Sequence, residues 1–184
     1  MTGFLIILAA ILFIVLSVAS IYNNLVQLRE NVKNGWSQID VQLKRRHDLI
    51  PNLVETAKGY LAHERQTLEN VTKARQQAID ASTLKDRQAA ENLLTGTLRS
   101  LFAVMENYPN LKADQQMRQL HEELTSTENK IAFARQYYND EVNRFNVATQ
   151  SFPSNVIAGT FNFEKKEFFQ MEDPLEKATP QVKF

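Results

Sequence analysis

Residues 43–53 read LKRRHDLIPNL, and the fold turns on how that stretch is placed within a long helical pattern. Before it, apolar positions recur in steps of three and four: Leu25, Leu28, Val32, Trp36, Ile39 and Leu43. The seam meets Arg46, resumes at Ile50, Leu53, Ala57 and Leu61, and continues less strictly through Leu68, Val71, Arg75 and Ala78. Such a stripe marks a helix that buries one face, and the near-heptad spacing suits bundle or coiled-coil packing. Pro51 removes one backbone hydrogen bond and crowds the carbonyl four residues earlier, so a kink near His47 is expected rather than an end. Gly35 and Gly59 are further weak points. Arg46 stands where the seam wants an apolar side chain. Either its stem packs while its head reaches water, or it is a buried, paired arginine that fixes register. Trp36 reads as a core or interface anchor.

Working back from this stretch, residues 4–21 (FLIILAAILFIVLSVASI) carry no charge, and their only polar groups are two serines. At about 1.5 Å per residue the run, with a flanking residue or two, spans a hydrocarbon core of roughly 30 Å. The rival reading is a cleaved signal peptide with Val18-Ala19-Ser20 as its small-residue site. It lacks the charged leading region, and the apolar run is long for such a peptide. No breaking signal separates Ile21 from Leu25, so the membrane helix is expected to run straight on. Arg29 and Lys33, then Lys44, Arg45 and Arg46, follow the run. That excess predicts a single pass with the N-terminus out and the domain in the cytoplasm.

Composition narrows the classes. The chain has 184 residues, with 21 Lys+Arg against 21 Asp+Glu, so it has no basic field to hold nucleic acid. Cysteine is absent, which excludes disulfides and thiolate metal sites. Five glycines and five prolines leave little punctuation, favouring long helices. The expected organisation is an anchor at 1–22, a helical bundle over 23–170 and a loosely ordered tail at 171–184.

Downstream, residues 79–83 (IDAST) form a short polar break, with Ser82 or Thr83 as N-cap of the next helix. That helix runs to about Asn107 on Ala90, Leu94, Leu98, Leu101, Phe102 and Met105, and Tyr108-Pro109 stops it. The third helix starts near Lys112 to Asp114, with a seam of Met117, Leu120, Leu124, Thr127, Ile131, Ala134, Tyr138, Val142, Phe145 and Ala148. Phe152-Pro153 ends it. Its neighbouring polar residues are either a solvated face or a hydrogen-bonded layer against another helix or another copy. Phe161-Asn162-Phe163-Glu164 alternates and reads as a short strand or an extended clamp. The fold class is therefore all-α: a transmembrane helix continuing into an elongated antiparallel bundle of three long helices plus a short C-terminal segment.

Helix lengths carry a further expectation. If the first helix runs to about Ala78 and each turn reverses direction, the second returns only to the level of Ala57. The stripe Leu25, Leu28, Val32, Trp36, Ile39 and Leu43 then lacks a partner within the chain. A stripe that long is not tolerated in a monomer, so these residues are expected to form the interface of a homo-oligomer, unless the helix breaks near Gly59 and folds back on itself. The same count predicts an Arg75–Glu128 ion pair.

The chain shows no nucleophile–base set, phosphate loop or zincin motif. His63-Glu64 lacks the second histidine, and no Glu-x-x-His precedes His47, His63 or His121. All three histidines read as ordinary helix residues. No cofactor, metal or catalytic residue is expected.

Several segments together carry a resemblance: YNNLVQLRENV, GWSQIDVQLKRRHDLIPNLVETAKGYLAHE, ENYPNLKA, ENKIAFARQYYNDEVNRFN and SFPSNVIA. The chain resembles the LemA family over nearly its whole length, with Gly35 where alanine is commoner. The resemblance implies a bacterial inner-membrane protein with a helical domain, no enzyme activity, and an association with membrane metalloproteases or other envelope-stress proteins. It also implies that Asp40, Arg46, Asp48, Asn52, Glu128, Asn129, Arg135 and Asn139, joined by Arg75, form a structural polar layer on facing helices. Two functions follow: a self-associating membrane-anchored scaffold, or a sensor that binds a ligand or peptide in a cavity beside Arg46, Asn129 and Arg135.

Overall fold

A computed structural model describes residues 1–61 and 63–170. The order is α1 (Thr2–Lys58), α2 (Arg65–Asp80), α3 (Leu84–Met105), α4 (Pro109–Ala113), α5 (Gln115–Gln150) and α6 (Ser154–Thr160). The fold is all-α. The expected loose tail at 171–184 lies outside the described residues.

α1 is unbroken from the apolar run through Gly35 and Pro51 to Lys58. It does not continue to Ala78. Tyr60 and Leu61 both donate their backbone N–H to the Ala57 carbonyl, closing the helix just past Gly59, and a separate α2 starts at Arg65. Arg75 then reaches the backbone of His47, so α2 doubles back along α1. The seam hid this reversal because Ala57, Leu61 and Leu68 are all buried in one core. A periodic apolar pattern records that a face is buried, not which way the chain runs.

The described residues form two compact units, one of Met1–Ile39 with Phe133–Phe168, the other of Asp40–Ala132 with Phe169 and Gln170. In the second, α1, α2, α3 and α5 bury Ile50, Leu53, Val71, Leu94, Leu101 and Leu124 in one core. Thr83 caps α3, its hydroxyl accepting the Asp86 N–H at 3.1 Å. Pro109 opens the short α4 at a first-turn position, where its missing N–H costs nothing. The Asp114 carboxylate accepts the Met117 N–H at 2.9 Å and starts α5.

In the first unit α1 and α5 run antiparallel, Asn31 bonding Glu141 at 3.2 Å and Trp36 packing edge-on to Tyr138. Gly35 is not a break. It is buried in this helix pair, and a β-carbon there would sit 3.0 Å from the Tyr138 Cα. Phe161 and Asn162 form a turn, and residues 163–168 follow as a clamp with neither helix nor strand structure. Asn146 brackets Lys166, donating to its carbonyl and accepting its N–H, each at 2.8 Å, and the Tyr138 hydroxyl donates to the Glu167 carbonyl.

This packing corrects the length argument. Leu25, Val32, Ile39 and Leu43 are buried within the single chain, and Leu28 and Trp36 are partly covered. The stripe has its partner, because α5 takes up the face that a three-helix count left bare.

Candidate functional site

The second unit has a charged centre. Arg46 is 1% exposed, on the inward face of α1 where the seam required an apolar group. Its guanidinium donates to the Glu91 carboxylate, to Glu128 at 2.6 Å and to the Thr95 hydroxyl at 3.0 Å. The next residue, His47, places Nε2 2.9 Å from the other Glu91 oxygen. Arg46 is thus the buried, paired arginine, not one whose head reaches water. It ties α1 to α3 and α5 at one level.

Glu91 is fully buried. Burial pushes its carboxyl up, but the His47 hydrogen bond and the Arg46 charge outweigh this and hold it below the ordinary glutamate value. Beside the cluster lies a cleft of about 230 Å³, lined by Arg46, Thr95, Phe102, His121, Glu128 and Asn129. Its polar floor and aromatic wall would suit a small ligand with a polar end.

The expected polar layer resolves into separate parts. Arg46 and Glu128 meet at the cluster. Asn129 is exposed at the cleft. Asp40 is exposed and pairs with Arg87 at 2.7 Å. Asp48 and Asn52 point to solvent. Arg135 and Asn139 are half-buried and belong to the other unit. The expected Arg75–Glu128 pair does not form. Arg75 donates to the His47 carbonyl at 2.7 Å, and Arg46 takes Glu128. The cause is again the reversal after Lys58, which shifts the level of every α2 residue.

Glu91 and Thr95 carry no expectation from the sequence, and His47, read there as an ordinary helix residue, is part of the cluster through Glu91. A signal existed for Glu91. It precedes Leu94, Leu98, Leu101 and Met105 at the same helical spacing, so an acid occupies a seam position in α3 as a base does in α1. Opposite charges at two seam positions of one bundle invite pairing. Among the described residues no group of three or more His, Asp or Glu could hold a metal ion.

The LemA family pattern matches residues 35–184, and so takes in this cluster and the clamp but not the apolar run of α1. The chain belongs to the LemA family. Protein LemA of Metamycoplasma hominis is 25% identical over 174 residues, covering 89% of this chain and 78% of that protein. Magnetosome protein MamQ 1 of Paramagnetospirillum magneticum is 25% identical over 175 residues. That match covers 81% of this LemA-family chain but only 64% of the relative's own length. MamQ of Magnetospirillum gryphiswaldense is 24% identical over 190 residues.

The anchor fits this membership. α1 carries the one stretch among the described residues long and apolar enough to cross a membrane. Its side chains from Phe4 to Leu16 are exposed all round, as lipid-facing side chains are. Together these point to a membrane-associated helical protein.

Proposed function

We propose that this LemA-family protein is a non-enzymatic scaffold, held by residues 4–21 as a single pass in the bacterial inner membrane, that self-associates and presents its helices to a membrane protease or other envelope protein. The observation that carries the reading is the unbroken α1 from Thr2 to Lys58. A stiff helix running from the span into the unit it forms with α5 sets where that unit stands, which a tethered enzyme on a flexible linker does not need. The interior charges also hold helices together: Arg46 is engaged by Glu91, Glu128 and Thr95.

Because the α1 stripe is covered, copies must meet elsewhere. The outer face of α5 presents Phe133, 73% exposed, one turn from Tyr137. The test is the mass of the full-length protein in detergent, with and without F133D and Y137D. A discrete oligomer that the substitutions dissolve supports the scaffold; a monomer throughout removes self-association. The basic residues Arg29, Lys33, Lys44 and Arg45 beyond the span favour a cytoplasmic domain. A C-terminal reporter active only in the periplasm should stay silent.

The cleft beside Arg46 favours a second reading, a sensor of a small polar ligand or peptide end. Thr125 also lines the cleft, so in that case T125W, which fills it, should abolish a ligand-induced rise in melting temperature.

A further inference from the structure

The membrane-proximal unit has a second uncharged region besides the span. Residues 145–163 (FNVATQSFPSNVIAGTFNF) contain no Asp, Glu, Lys, Arg or His, in a chain that is 23% charged. Helix register brings this segment to the end of the apolar run. From Asn31 opposite Glu141, nine residues down α1 reach Tyr22 and nine along α5 reach Gln150. Ring contacts agree: Tyr22 packs edge-on to Phe161 at 4.8 Å and to Phe163 at 5.8 Å.

At this level large apolar side chains face outward. Phe152 is 83% exposed, Val156 61% and Phe161 53%, while Ile157 and Ala158 on the other side of α6 are buried. The polar groups among them are Ser, Thr, Asn and Gln. Charge returns within a narrow band, whose lower edge is Lys166, bonded to Asn146 level with Val26. The first charged residue on α1 is Arg29, and the last on α5 before the segment is Arg144, level with Leu28 in the same register. From Tyr22 to Arg29 is about 10 Å of helix, enough to cross the headgroup zone of roughly 5–7.5 Å on one side of a hydrocarbon core of about 30 Å.

We propose that the foot of this unit, from the end of α5 through α6, is seated in the lipid–water interface beside the span, with Phe152, Val156 and Phe161 inserted among the lipids. The inference rests on residues 4–21 crossing the membrane. Lipid is the occupant the site fits, because the exposed apolar face continues the surface of the span, and an uncharged, hydrogen-bonding collar suits the interface. The foot and the span then fix the height and tilt of this unit at two points.

The chain lacks cysteine, so single-cysteine variants F152C, V156C, F133C and L12C of the full-length protein can carry a polarity-sensitive fluorophore in phosphatidylcholine vesicles. Labels at 152 and 156 should shift to the blue, lose most quenching by iodide supplied on both sides, and be quenched by lipids bearing a nitroxide near the headgroup. The label at 133 should stay open to iodide. If 152 and 156 behave like 133 while the label at 12 is quenched by deep nitroxide lipids, the span stands and the seated foot is overturned. If the label at 12 escapes lipid quenching, the span fails and the inference with it. Labels at 152 and 156 shielded from iodide and lipid alike would mean that protein covers the foot, which also overturns it.

Discussion

Arg75 Nε donates to the backbone carbonyl of His47 at 2.7 Å, and that carbonyl is the one Pro51, four residues on, leaves without its helical donor. The α1 helix therefore passes through a proline with its orphaned acceptor satisfied from α2. The proline in LKRRHDLIPNL and Arg75 of α2 are two halves of one device. It fastens the returning helix to the point where the first is weakest.

This pairing predicts a coupling. R75A should lower stability by about 1–3 kcal/mol, because a half-buried carbonyl loses a charge-assisted donor. P51A restores an N–H to the same carbonyl. In the P51A background the loss on removing Arg75 should shrink well below its value in the parent. The check is a double-mutant cycle by chemical denaturation of the detergent-solubilised full chain. Additive effects would show that the two residues act separately.

Arg46 and Glu91 make a stronger case. Both are buried, and each is the other's counter-charge. Removing Arg46 alone leaves the buried Glu91 charge with only the His47 hydrogen bond, so R46A should cost about 3–5 kcal/mol. Replacing the pair together, R46M with E91L, should cost less than R46A, because the desolvation penalty leaves with the charges. Glu128 can be spared, since its side chain is 40% exposed and can return to water. Thermal melts of the three proteins decide it; a double variant worse than R46A would mean that the pair adds net stability.

The same carboxylate sets an acid dependence. Burial raises the Glu91 pKa, but His47 and Arg46 together bring it below the ordinary value. A carboxyl with a folded-state pKa below its unfolded one stabilises fully above the unfolded value, about 4.3. That contribution is lost as pH falls through the depressed folded value. The melting temperature of the parent should therefore exceed that of E91Q at neutral pH, and the gap should narrow as pH drops below about 4.3. A gap that holds or widens in acid would show that Glu91 is not charged in the fold.

How much of this was legible depends on what a periodic pattern records. Met117, Leu120, Leu124, Thr127, Ile131, Ala134, Tyr138, Val142 and Phe145 are all buried, as their spacing requires. The caps at Thr83 and Asp114 also announce themselves by residue type. Direction does not. Leu61 and Leu68 are buried in one core on both sides of the reversal, so the pattern is that of a continuous helix and misplaces every level beyond Lys58. The bare stripe on α1 and the Arg75–Glu128 pair both follow from that. Glu91 was hidden differently: an acid on a helix reads as solvent-facing unless a buried base elsewhere demands it. The cleft beside Arg46 depends on where side chains fail to fill space, which no spacing encodes.

The clamp rests on a side chain with few substitutes. The Asn146 amide presents a donor to the Lys166 carbonyl and an acceptor to the Lys166 N–H, as a neighbouring strand would. Aspartate keeps the acceptor but turns the donor into a second acceptor facing a carbonyl, and alanine removes both. N146D and N146A should each loosen the segment around Lys166, whose backbone is tied down otherwise by the Tyr138 hydroxyl on Glu167. Trypsin should cut after Lys165 and Lys166 faster in both variants than in the parent, and faster still when either is combined with Y138F. An unchanged cutting rate would mean that the segment is held by its phenylalanines, with Phe163 against Phe145 and Tyr22, and that the asparagine is incidental.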